Sequence, residues 1–292
     1  MKLGLVGSEM CIRDRHNKLK VSCLQINPKP TIEEALNEAI ELANNAIKEN
    51  TDFLFLPEYC GGLVSNGSIY IPPSKNQQNH IFLKKFQQFC LDHSVWCLIG
   101  SIAISSEDNK TFNRSYMIDN KGNINSYYNK IHMFDISLDG ENHKESETIN
   151  PGNNAVISST PYGKIGLSVC YDLRFPSLYR TLSLNGAEIL AIPAAFTKKT
   201  GEAHWHILNK ARAIENCAYV VAPCSIGEIM GGGESYGHSL IIDPWGTIIA
   251  DGGSSRGVIS AEIDISKVKI VREQLPSLYH CLLYTSPSPR DP

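Results

Sequence analysis

Three reactive side chains, Glu58, Lys130 and Cys170, each stand where an apolar segment gives way to polar sequence. Cys170 ends the run KIGLSV and is followed by YDLRFP, in which Pro176 suits the first turn of a helix reaching to Gly186. A cysteine on such a strand-to-helix elbow points its sulfur out of a sheet edge, beside backbone N–H groups that favour a negative charge. A carboxylate such as Glu58 within hydrogen-bond reach can take the thiol proton, and the thiolate can attack a carbonyl carbon. Lys130 would favour the thiolate and, with the N–H of Tyr171, hold the oxyanion of a tetrahedral intermediate. Loss of ammonia or an amine, protonated by Glu58, then leaves a thioester that a Glu58-activated water hydrolyses. Glu145, in the polar stretch after Lys130, is placed to orient the ammonium and the substrate nitrogen. Each residue also has a plainer reading: a cysteine packed as a small hydrophobe, a solvated loop glutamate, a surface lysine.

The elements that must position these side chains are legible from periodicity. Lys20 to Ile26 reads as a strand, and Thr31 with Glu34 forms a capping box for a helix whose apolar positions run from Ile32 to Ile47. The wholly apolar DFLFL at 52–56 is then a doubly covered, parallel-type strand ending at Pro57 and Glu58. A long loop is expected over Gly61 to Gln78, then a helix over Asn79 to His93 with Ile81, Phe82, Phe86, Phe89 and Cys90 inward. Val95 to Ile104 reads as strand, and Thr111 to Ile118 pairs with Asn123 to Asn129 across the turn DNKG, with Lys130 at its end. Ile131 to Pro151 reads as a long polar loop.

The second half repeats the theme. AEILAI at 187–192 ends in Pro193 much as DFLFL ends in Pro57, which suggests a loose internal repeat of helix and strand. Gly201 to Cys217 is a helix, Ala218 to Ala222 a strand, and GEIMGGGES a mobile loop. Tyr236 to Ile242 turns through DPWG into Thr247 to Ala250, and Gly257 to Ile265 closes a sheet before a helix at Ser266 to Gln274. This order gives an α/β sandwich with mixed sheets.

A chain of 292 residues with net charge -3 and 42% hydrophobic residues fits one large domain, without a basic surface for nucleic acid. No apolar run is long enough to span a bilayer. Residues 1–15 and 281–292 are set aside, leaving 16–280 as the domain. The reverse complement of one coding of LVGSEMCIRDR encodes CLLYTSPSPRD, so both ends look like translated sequencing adapter. The seven cysteines between them are scattered without a CxxC pair, which predicts a reduced cytoplasmic protein without a zinc site. His204 and His206 flank Trp205 and read as packing or pocket residues rather than metal ligands.

FLFLPEYCGG, YNKIHMFD, KESETINPG and GLSVCYDLRFPSLYR closely resemble, in this order, the motifs of the nitrilase superfamily, the carbon–nitrogen hydrolases. The resemblance covers about Lys20 to His280 and implies catalytic roles for Glu58, Lys130, Cys170 and Glu145. It implies a four-layer αββα sandwich, a homodimer, a small-molecule amide substrate, and neither metal nor organic cofactor. TGEAHWHILNKARAIEN, YGHSLIIDPWG and REQLPSLYH look most like the branch containing deaminated glutathione amidase and omega-amidase. Arg174 is the expected partner of a substrate carboxylate, unless it forms an ion pair with Asp172 or Glu215. Tyr171, Phe196, Thr197 and Thr200 are expected to line the pocket. Hydrolysis of a nitrile or an N-carbamoyl amino acid by the same residues, and a non-catalytic binding protein, are the competing readings.

Overall fold

Phe53, Leu54, Phe55 and Leu56 send their side chains alternately into two different cores, and this two-sidedness organises the molecule. The structure, a computed structural model, describes residues 18–67, 69–138 and 141–280. The end segments 1–15 and 281–292 lie outside the described residues.

Strand β1 (Lys18–Gln25) leads to helix α1 (Ile32–Lys48), where the Oγ1 of Thr31 accepts the Glu34 N–H at 3.2 Å, as the capping box predicts. Next come β2 (Phe53–Phe55), α2 (Ile81–His93) and β3 (Trp96–Ser105). β4 (Thr111–Ile118) and β5 (Ile124–Asn129) form the expected hairpin, closed by the bond from Gly122 N–H to the Asp119 carbonyl. Short strands β6 (Asp135–Leu138), β7 (Glu141–Lys144) and β8 (Ile149–Asn150) precede β9 (Val156–Thr160) and β10 (Gly163–Leu167). Helix α3 (Pro176–Leu184) begins on Pro176, and β11 (Ile189–Ala191), α4 (Lys198–Asn216) and β12 (Tyr219–Ala222) follow. The chain continues through β13 (Ile226–Glu228), β14 (Glu234–Tyr236), β15 (Leu240–Ile242), β16 (Ile248–Asp251), β17 (Gly257–Asp264) and α5 (Ser266–Gln274).

One sheet has the order β17-β1-β2-β3-β4-β5, with β8 alongside β4, and the other has β16-β15-β12-β11-β10-β9. Each contains a central parallel trio flanked by antiparallel strands, with β2 in the middle of one and β11 in the middle of the other. The repeat suggested by DFLFLP and AEILAIP is therefore a repeat of sheet centres. Leu54 and Leu56 pack with Ala39 and Leu42 of α1 and with Phe82 and Phe86 of α2. Phe53 and Phe55 join the other core, which holds Leu167, Ile189, Tyr179 of α3 and Trp205 of α4. Helices, sheet, sheet and helices make the expected four layers.

Three local expectations are corrected. Ile81 is 43% exposed, because it falls on the α2 face shared with Lys84, Lys85 and Gln88, while Leu83 takes the inward place. The stretch after Lys130 is not loop throughout: β6 and β7 pair from Asp135 with Lys144 to Leu138 with Glu141. GEIMGGGES is likewise a hairpin, β13 with β14, rather than a mobile loop. Gly231 serves close packing, since a Cβ there would lie 1.7 Å from the Ser65 carbonyl oxygen, at φ +89.

Gly100 in β3 is the tightest joint between the sheets. A Cβ there would stand 2.0 Å from the Leu56 oxygen, 2.4 Å from the Pro57 oxygen and 2.6 Å from Pro193 Cβ. Backbone beyond β2 and the Pro193 side chain beyond β11 thus meet over a position with no side chain. Gly100→Ala is expected to destabilise the protein by about 3 kcal/mol, measured as a fall in the urea midpoint; an unchanged midpoint contradicts this packing.

Candidate active site

Glu58 lies just beyond β2, Lys130 just beyond β5, and Cys170 beyond β10 at the start of a 3₁₀ turn, Cys170–Arg174, that leads into α3. The fold brings these strand ends and Glu145 to one cleft. Cys170 has φ +48, a left-handed backbone that non-glycine residues rarely adopt, and its N–H donates to the Pro193 carbonyl at 2.8 Å. The elbow is therefore held from the end of β11. Tyr59, next to Glu58, also has a left-handed backbone, at φ +51, fixed by its N–H donating to Ser101 Oγ at 2.9 Å.

The Lys130 ammonium is 1% exposed and wedged between two carboxylates. It donates to Glu58 Oε1 at 3.0 Å and to both oxygens of Glu145, at 2.9 and 2.8 Å. Glu58 Oε2 accepts the Ala195 N–H at 2.9 Å, so the continuation of β2 is bonded to the continuation of β11. Asn113, fully buried on β4, donates its amide to Glu58 Oε1 at 2.9 Å. Tyr59 donates its hydroxyl to Glu145 Oε1 at 2.9 Å, and the Phe134 N–H donates to Glu145 Oε2 at 2.7 Å. Burial alone would lower the lysine pKa, but the negative charges of Glu145 and Glu58 overcome it and hold it well above its usual value.

Glu58, Lys130 and Glu145 all lie close enough to the Cys170 thiol to act on its charge. Its pKa is pushed well above the ordinary thiol value, first by burial and then by the charge of Glu58, against the opposing pull of Lys130. Two carboxylates surround one ammonium, so a third anion is disfavoured until the sulfur transfers its proton to Glu58. The 3₁₀ turn also sets the sulfur apart from the N-terminus of α3, which weakens the helix contribution.

Asp172, fully buried, joins the lysine strand to the cysteine elbow. Its Oδ2 accepts the Tyr128 hydroxyl at 2.7 Å and the Val169 N–H at 2.8 Å; its Oδ1 accepts the His132 N–H at 3.1 Å and faces His132 Nδ1 at 2.7 Å. The sequence offered Asp172 only as a partner for Arg174. The structure gives it to β5 and the residues after it, and gives Glu215 to Arg212 at 2.7 Å.

Tyr171, Phe196, Thr197 and Thr200 line the cleft as expected, joined by Tyr70, Phe134 and Ala195, which the sequence did not single out. The Thr197 and Thr200 hydroxyls are 2.7 Å apart. Arg174 does not line the cleft itself. Its guanidinium lies over the rings of Phe196 and Tyr171, 5.5 and 5.8 Å from their centres, and contacts His204 Nδ1 at 3.3 Å. Tyr59 and Asn113 were also missed; only their nearness to strand ends could have marked them.

Residues 20–273 match the carbon–nitrogen hydrolase family. The chain belongs to the carbon–nitrogen hydrolases. Among its relatives, a deaminated glutathione amidase of Synechocystis sp. is 38% identical over 269 residues, 89% of this chain and 96% of that protein. Omega-amidase NIT2 of Xenopus tropicalis is 33% identical over 260 residues, 89% of this chain and 93% of that one. The crystal structure of the C. elegans NitFhit protein superposes with a TM-score of 0.84 at 32% identity, covering 92% of this chain and 66% of that one. The nitrilase-superfamily resemblance of the motifs and the αββα layering therefore agree with both sequence and fold relatives. In this carbon–nitrogen hydrolase, carboxylate, ammonium and thiol stand in one buried cluster, suited to general-base-assisted attack by sulfur on a carbonyl group.

A raised thiol pKa has a visible consequence. The ultraviolet thiolate absorbance of the wild type minus that of Cys170→Ala is expected to stay at zero at pH 8 and to grow only above the ordinary thiol range of about 8.5. A difference band titrating below pH 8 would contradict this electrostatic balance.

Proposed function

We propose that Cys170 is the nucleophile of an amidase acting on a small, linear, carboxylated amide, such as deaminated glutathione or the monoamide of a 2-oxo dicarboxylic acid. The observation that carries this reading is the buried Glu58–Lys130–Glu145 cluster against the Cys170 thiol, in a chain similar to proteins named deaminated glutathione amidase and omega-amidase. Cys170 Sγ attacks the amide carbon as Glu58 takes the thiol proton. Lys130 and the Tyr171 N–H face the oxyanion, which the ammonium stabilises without losing its own proton. Collapse of the intermediate breaks the carbon–nitrogen bond, and Glu58 returns the proton to the leaving nitrogen, releasing ammonia or an amine. Water, deprotonated by Glu58, attacks the thioester; the acid departs and the sulfur regains its proton. Glu145 fixes the ammonium throughout.

Arg174 binds the substrate carboxylate at the rim in this reading. Its fork is held by two aromatic rings and the His204 imidazole, with no acidic partner among the described residues, which suits an incoming anion. We take residues 16–280 as the catalytic domain. A reducing, cytoplasmic setting accords with seven buried free thiols among the described residues, and no described helix is long and apolar enough to cross a membrane.

We also infer a homodimer. Ile207 and Ile214 lie two turns apart on α4 and are 70% and 45% exposed; Trp245, in the turn abutting Ile214 through Gly246, is 60% exposed. Such a face is apolar enough to be covered by its copy. Light scattering is expected to show a dimer that Ile207→Glu with Ile214→Glu converts to monomer; a wild-type monomer would contradict it.

Cys170→Ala is expected to abolish ammonia or amine release, and Glu58→Gln to lower kcat by about 10²-fold or more, with the circular dichroism of both unchanged. Arg174→Lys is expected to raise KM for carboxylated amides about tenfold with a smaller change in kcat. A substrate panel of amides, ureido acids and nitriles decides the reaction: turnover confined to nitriles or N-carbamoyl amino acids would replace the amidase reading.

A further inference from the structure

His206 was expected to pack, but the fold assembles it with two other ligand-bearing residues. His206 is on α4, His238 lies just before β15, and Asp251 ends β16; none of the three lines the cleft. His206 Nε2 is 3.0 Å from Asp251 Oδ2, and His238 Nδ1 is 2.9 Å from Asp251 Oδ1. All three ligand atoms fall within 4.8 Å of one another, the one such group of histidine, cysteine or carboxylate residues among the described residues. We propose that His206, His238 and Asp251 form a binding site for a divalent transition-metal ion of the Zn²⁺ type, with water completing its coordination.

The donor set selects the ion. Two imidazoles and one carboxylate match the three protein ligands of an open zinc site, whereas Ca²⁺ and Mg²⁺ prefer oxygen throughout. Bonds of about 2.0–2.2 Å to a tetrahedral ion place donors roughly 3.3–3.5 Å apart, so small side-chain rotations convert the present contacts into a coordination shell. Each side chain is about a quarter to a third exposed, His206 29%, His238 26% and Asp251 33%, which leaves one side open for water.

The ligands are also held in place before any ion arrives. His238 has φ +51, and its carbonyl accepts the Trp205 indole N–H at 2.7 Å while its own N–H donates to the Gly253 carbonyl at 2.8 Å. Its ring stacks on Tyr236 at 4.6 Å. Asp251 Oδ1 accepts the Gly253 N–H at 2.8 Å, a bond outside the coordination set that fixes the carboxylate. In the metal-free state each imidazole N–H donates to the carboxylate. When a cation binds, the ring nitrogen that faces the carboxylate presents its lone pair to the ion instead. The ion would then tie α4 to the sheet beside Trp205, whose ring packs on Phe196 of the cleft wall at 5.0 Å.

The site does not depend on the amidase reading, and its test reads binding rather than turnover. Zn²⁺ is titrated calorimetrically into the full chain carrying Cys170→Ala, which removes the competing thiol of the cleft, and Co²⁺ is added in parallel for its visible d–d absorption. One zinc per chain and an intense, tetrahedral-type cobalt spectrum are expected. His206→Ala and the near-isosteric Asp251→Asn, each checked for native circular dichroism, are expected to weaken binding more than about 100-fold and to abolish the cobalt bands. Absence of binding, or affinity unchanged in both folded variants, would overturn the site and leave the three residues as a hydrogen-bonded tie.

Discussion

A lysine ammonium sealed from water between two carboxylates is the constraint around which this molecule is arranged. Removing such ions from water costs several kcal/mol each, and the cost is tolerable only when every donor and acceptor is matched. Lys130 spends its donors on Glu58 and Glu145, and the carboxylates take further bonds from Asn113, Tyr59, Phe134 and Ala195. Burial first, and then the charge of Glu58, explain why the neighbouring sulfur is held toward the thiol form against the pull of Lys130.

The two sheets exist in this arrangement because the cluster needs both. Glu58 extends the middle strand of one sheet, and the backbone that meets it extends the middle strand of the other. Gly100 permits that approach, and the Pro193 carbonyl holds the strained Cys170 backbone. Asp172 then couples the elbow to Tyr128 and His132 on either side of Lys130, so nucleophile and ammonium share one rigid frame. Strain at Cys170 is thereby offset by the Pro193 carbonyl and by the bonds that Asp172 makes to Tyr128, His132 and Val169.

Much of this was legible in the sequence. The continuous apolar run of β2 announced a doubly covered strand and AEILAI its repeat, the Thr31 capping box placed α1, and Pro176 placed α3. Glu58, Lys130 and Cys170 stood at strand ends, where α/β folds collect reactive groups. What escaped depends on tertiary distance. Asn113 and Tyr59 look ordinary along the chain, and Asp172 seemed destined for the nearest arginine. The sign of the thiol shift depends first on burial and then on the charge of Glu58, neither of which spacing encodes. Ile81 was misplaced by a single residue of helix phase, and the glycines at 231–233, suggestive of mobility, supply left-handed backbone in a packed hairpin. His206, His238 and Asp251 are brought together by the packing of α4 on the second sheet, with no local motif to mark them.

The central claim is that this charge cluster drives acylation of one particular sulfur. Rapid-quench mass spectrometry during turnover of deaminated glutathione tests it most directly. An adduct with the mass of the acyl fragment, mapped to the peptide containing Cys170 and decaying as product forms, is the predicted result. Steady hydrolysis with no adduct on Cys170, or with the acyl group on another residue, would contradict it.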